Sequence, residues 1–156
     1  MKIASHIEKF ERLDAVRRRL DPVADTELWI WTAMTACTHL LNAALHWCGV
    51  TEEFDSFHSQ VEGQYAIPDR DKGTLSEAQH RPGDLMHVDQ PPVERRKPPA
   101  VERACTALKI IEDLREAHVR GNQPIADGAA GQWERAYAQC VAELSAALGI
   151  SVAAAR

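Results

Sequence analysis

Residues 25–50 read DTELWIWTAMTACTHLLNAALHWCGV, the longest apolar run of the chain. Its polar residues recur at steps of three and four: Thr32, Thr35, His39, Asn42 and His46. That spacing places them in one stripe along an otherwise apolar helix. Asp25 or Thr26 supplies an N-cap, and Gly49 stops the helix after Cys48. At about 1.5 Å per residue the helix 25–48 is about 35 Å long, the full length of a small bundle, and a helix apolar nearly all round is a central one. Four polar groups at Thr35, His39, Asn42 and His46 argue against a membrane span.

Working outward, residues 4–20 form an amphipathic helix, with Ile7, Phe10, Leu13, Val16 and Leu20 on its apolar face and Asp21-Pro22 at its end. Downstream, Pro98-Pro99 opens a helix over 100–120 that buries Val101, Ala104, Cys105, Leu108, Ile111 and Leu114. A last helix over 132–148 carries Trp133, Ala136, Tyr137, Cys140, Val141, Leu144 and Leu148 inward and ends at Gly149. Between the second and third helices, residues 63–99 hold most of the chain's Gly and Pro, which excludes a long regular element. Helical turns are expected within 51–61 and 74–80, and the apolar residues of 63–99 mark it as a loop that covers the bundle. The fold class is therefore all-α: one domain over 1–156, an antiparallel four-helix bundle with a long irregular crossover between helices 2 and 3.

The bulk numbers narrow the function classes. A chain of 156 residues with 45% hydrophobic and 26% charged residues is an ordinary globular domain. A net charge of −5 makes a nucleic-acid partner an unfavoured reading. No secretory segment opens the sequence, and Cys37, Cys48, Cys105 and Cys140 form no CxxC pair, so a cytoplasmic location with reduced thiols is expected.

The stripe supplies the binding candidates Thr35, His39, Asn42 and His46. The stripe is expected to face either the long loop or the binding candidates Glu112, Arg115 and His118, ionisable residues near the apolar arc of the third helix. His39 and His46 stand about 10 Å apart along the helix backbone, too far to chelate one ion by themselves. A metal would need further ligands, for which His58, His80, His87 and Asp89 are the candidates; no HExxH or ExxH spacing is present and no cofactor is expected. No catalytic residue can be named from the sequence. The leading reading is a small binding or accessory protein acting through a partner interface or small-ligand pocket on the central helix, with homodimerisation favoured by Trp29, Trp31 and Trp47. The alternative is an enzyme with a His-centred polar site in the bundle, metal-dependent or otherwise. Four helices with a long second-to-third connection, and Arg81 followed six residues later by His87, resemble the HEPN class of helical proteins, a resemblance that implies a ribonuclease as one form of that enzyme.

Overall fold

The computed structural model describes residues 1–53, 57–58, 64–69, 74–79, 83–88, 90, 92–93 and 95–150. Its elements are α1 (Ile3–Arg17), α2 (Thr26–Trp47), β1 (Phe57–His58), β2 (Gln64–Asp69), β3 (Thr74–Gln79), α3 (Pro99–Leu114) and α4 (Ala129–Leu148). A π-helical segment, Arg115–Arg120, prolongs α3. The four helices form a bundle in which α2 packs against α1, α3 and α4.

The central position of α2 follows from its sequence. Trp29, Ile30, Ala33, Ala36, Cys37, Leu40, Leu41, Ala43, Ala44 and Leu45 are fully buried, which accounts for the helix's apolarity on most of its sides. Asp25 stands at its N-cap position as expected, without a side-chain capping bond, and Asp21 supports the approach: its Oδ1 accepts from the backbone N–H groups of Val23 and Ala24, both at 2.8 Å. Gly49 stands beyond its C-terminus at φ 68°, a left-handed conformation that costs glycine nothing.

The buried face of α1 departs from the expected one. His6, Phe10 and Asp14, spaced by four, are its buried residues, while Ile7 and Leu13 are only partly covered. Asp14 is compensated on three sides, by Arg17 (3.1 Å), Arg18 (2.5 Å) and the Tyr137 hydroxyl, which donates at 2.7 Å. A buried carboxylate so paired locks α1 to α4.

The crossover is not irregular throughout. β1, β2 and β3 form an antiparallel sheet in that order, with Phe57 opposite Ala66 and the β2–β3 register running from Gln64↔Gln79 to Asp69↔Thr74. The helical turn expected over 74–80 is thus a strand over Thr74–Gln79, and residues 57–58 of the turn expected over 51–61 are extended. Tertiary pairing overrides local propensity here, as is usual for short segments. Beyond the sheet the chain returns to the bundle at Gly83, Asp84 and Leu85, all buried. Among the described residues no helix is long and apolar enough to cross a membrane.

Candidate metal centre

The polar stripe of α2 divides into two halves. Thr32 and Thr35 return their hydroxyls to their own helix, Thr32 to Leu28 O at 2.8 Å and Thr35 to Trp31 O at 2.7 Å. Such back-bonding satisfies the hydroxyl proton within the helix. His39, Asn42 and His46, by contrast, reach other segments. Asn42 is buried and pairs with the backbone of Leu85 twice, donating to its carbonyl at 2.8 Å and accepting from its N–H at 2.7 Å. This amide fixes the returning crossover against α2, and it sets Asp84, the preceding residue, over the two histidines.

His46 Nε2 lies 2.9 Å from Asp84 Oδ1, and His6 Nε2 lies 3.2 Å from the same oxygen. The α-amino group of Met1 donates to it at 2.8 Å. The second nitrogen of each imidazole is also held: His46 Nδ1 by the Thr51 hydroxyl at 2.8 Å, His6 Nδ1 by His39 Nδ1 at 3.0 Å. The rings of His6 and His46 are buried and their centroids are 5.4 Å apart; His39 is half-buried. α1 is set in place at this end by Glu53, whose carboxylate accepts from the N–H of Ile3 at 2.6 Å, where a negative charge also suits the helix N-terminus.

Electrostatics follow from this burial. Desolvation lowers the pKa of His6, against the attraction of Asp84, and lowers that of His39 to about 4, with His6 adding to the effect. Both rings are therefore held neutral near pH 7. Burial pushes the Asp84 carboxyl upward, but the hydrogen bonds from His46, His6 and the Met1 amine outweigh it and hold the group well below the usual carboxylate range. Two imidazoles with an ionised carboxylate are the donor set of a divalent transition metal. One donor atom from each of His6, His46 and Asp84 lies within 4.8 Å of the others. In a tetrahedral zinc site with bonds of about 2.0–2.1 Å, neighbouring donors are about 3.3 Å apart. The carboxylate-to-imidazole separations of 2.9 and 3.2 Å are within a few tenths of that value.

The residues expected on α3 face elsewhere. Glu112 accepts from the N–H of Val88 at 2.9 Å and lies 3.6 Å from His87 Nδ1. Arg115 meets His87 Nε2 at 3.3 Å and sits over the Trp31 ring, 5.5 Å from its centroid. His118 packs on Trp133 and bonds the carbonyl of Gln123 at 3.1 Å. Among the described residues no hydrogen bond or ion pair joins these three to His39 or His46. Of the further ligand candidates, His87 belongs to this Glu112 cluster, while His80, Asp89 and the side chain of His58 lie outside the described residues, as does Arg81 of the pair that resembles the HEPN motif.

Sequence reasoning thus found His39, Asn42 and His46 and missed His6, Thr51 and Asp84. A signal existed for His6, four residues before Phe10 and eight before Asp14, a spacing that puts a second buried polar stripe on α1. None existed for Asp84, which meets its partners across 38 and 78 residues of chain. No protein-family model, no curated protein and no solved structure matches the chain.

Proposed function

We propose that this protein binds a divalent transition metal ion through His6, His46 and Asp84 and serves as a metal-dependent enzyme. The observation that carries the reading is the convergence of three donors from α1, α2 and the crossover, within 4.8 Å of one another, in a mostly buried setting. Imidazole donors favour zinc, nickel, cobalt or iron over magnesium and calcium, which prefer all-oxygen sites. Three protein ligands leave a coordination position open, the pattern of catalytic rather than structural zinc. A metal so held would act as a Lewis acid and lower the pKa of a bound water. No cofactor is expected from the sequence, which pairs no two ligands at HExxH or ExxH spacing; the present reading departs from that expectation because His6 and Asp84 join His46 from other segments.

The test is calorimetric titration of chelator-treated protein with Zn(II), Ni(II), Co(II) and Mg(II), alongside thermal melts. One equivalent of a transition ion should bind, Mg(II) should not, and at a hundredfold excess over Kd the fold should gain about 2.7 kcal/mol. His46→Gln and Asp84→Asn should each abolish the gain. If wild-type protein binds none of these ions, the cluster is a hydrogen-bonded tie between crossover and helices, and the enzyme reading falls.

A second reading concerns partners. Val23, Leu28 and Trp31 remain 55%, 54% and 43% exposed near the start of α2. Leu28 also lines a recess of about 540 Å³ together with His118, Gln123 and Ile125. Exposed aromatic and aliphatic side chains beside a recess support a homodimer, a protein partner or a small ligand at this end of the bundle. The free thiols Cys37, Cys105 and Cys140, all buried, suit a reducing, cytoplasmic setting.

A further inference from the structure

Thr51 and His39 are the groups that complete the cluster without being ligands in the proposed site. Each touches the nitrogen of a ligand histidine that points away from Asp84: Thr51 Oγ1 stands 2.8 Å from His46 Nδ1, and His39 Nδ1 stands 3.0 Å from His6 Nδ1. A neutral imidazole carries one N–H and one lone pair, so the partner at one nitrogen dictates what the other can do. Without a metal, the carboxylate of Asp84 can only accept. The Nε2 atoms of His6 and His46 therefore carry the protons, and their Nδ1 atoms accept, from His39 and from the Thr51 hydroxyl respectively. With a metal on Nε2, the proton must reside on Nδ1 and be donated outward. The partner must then accept.

Threonine and histidine are side chains that can make this reversal in place. A hydroxyl donates or accepts by rotating about its C–O bond, and a histidine ring does so by changing tautomer. His39 is half-buried, so its far nitrogen exchanges a proton with water while His6 stays enclosed. In this exchange a neutral imidazole keeps its one proton and only the position changes, so the rings themselves add no charge.

We propose that Thr51 and His39 are positioning residues of the metal centre, reversible hydrogen-bond partners that set the tautomers of His46 and His6 so that both Nε2 atoms are free for the ion. The inference rests on the metal reading above and assigns residues that reading does not use. Partners of this kind orient the ring and raise ligand basicity, and their loss weakens metal binding about 10–100-fold.

Co(II) titration followed by visible absorption, with Zn(II) competition for affinity, tests it on the full chain. Thr51→Val keeps the shape and removes the hydroxyl, whereas Thr51→Ser keeps the hydroxyl. Thr51→Val should weaken Co(II) binding about 10–100-fold and alter the band shape, and Thr51→Ser should restore both. His39→Phe should weaken it similarly, and His39→Gln, whose amide can present either a donor or an acceptor, should recover part of the loss. Circular dichroism of the metal-free variants checks that each is folded. If Thr51→Val and His39→Phe bind within twofold of wild type, the positioning role is overturned while the metal site stands. Equal weakening by Thr51→Ser and Thr51→Val also overturns it, because packing alone then explains the effect. If wild-type protein binds no Co(II) or Zn(II), this inference falls together with the reading it rests on.

Discussion

Replacing Asn42 with alanine removes a clamp that holds the crossover to the central helix and, with it, Asp84 to its histidines. The amide is 2% exposed and makes two hydrogen bonds to the Leu85 backbone, at 2.8 and 2.7 Å. Leu85 is itself 2% exposed, so water cannot replace either bond without the segment moving. Each buried backbone group left without a partner costs about 1–3 kcal/mol, so two of them give about 2–6 kcal/mol, a large part of the stability of a domain this size. The segment has an outlet, release of residues 83–88 from the bundle, which would cap the loss at the lower end of that range. Urea denaturation followed by circular dichroism should therefore show Asn42→Ala less stable by about 2 kcal/mol, with metal affinity falling in parallel because Asp84 loses its placement. A loss below about 1 kcal/mol together with unchanged metal affinity would refute the reasoning, since the clamp would then be contributing neither order nor position.

The remaining predictions concern protons and partners. His6 and His39 have folded pKa values below their ordinary value of 6.5, His39 at about 4, so between these limits the unfolded chain takes up protons that the folded chain refuses. Metal-free protein should be at full stability above about pH 6.5 and lose it as the pH falls toward 4; Asp84, held low, adds a further loss below its ordinary value of 3.8. At 1.36 kcal/mol per pKa unit and discounted for the partly solvated ring, the His39 share is about 1–2 kcal/mol, and urea midpoints at pH 7 and pH 5 should show it shrink in His39→Gln. Stability that holds or rises between pH 7 and pH 5 would contradict this. If the exposed Val23, Leu28 and Trp31 surface pairs two copies of the chain, light scattering at micromolar concentration gives a dimer mass that Trp31→Glu returns to the monomer value. A monomeric wild type removes the homodimer.

Local physics already determined the helical frame. Apolar residues at helical spacing, helped by proline before the third helix and glycine after the second and fourth, locate all four helices, and the predominant apolarity of residues 25–48 makes that helix the central one, because only a helix enclosed on nearly all sides is stable with such a surface. The polar stripe was equally legible, and its C-terminal half, His39, Asn42 and His46, does lie in the candidate site. What faces the stripe was legible only as two alternatives, the third helix or the long crossover, and it is the crossover that supplies Asp84 and Leu85. Glu112 and Arg115 sit on the right arc of α3, yet His87, Val88 and Trp31 engage them instead. His6 and Asp84 take the facing positions, one because α1 is rotated to bury His6, Phe10 and Asp14, the other because the crossover folds back at residues 83–85. Periodicity reports which side of a helix is buried against something, and carries no information about which distant segment supplies the cover. Strand pairing in the crossover escaped for the same reason, since hydrogen bonds between strands depend on a partner elsewhere in the chain. The helices and their inner faces belong to the sequence; the meeting of His6, His46 and Asp84 belongs to the tertiary structure, where contacts across 38 and 78 residues are made.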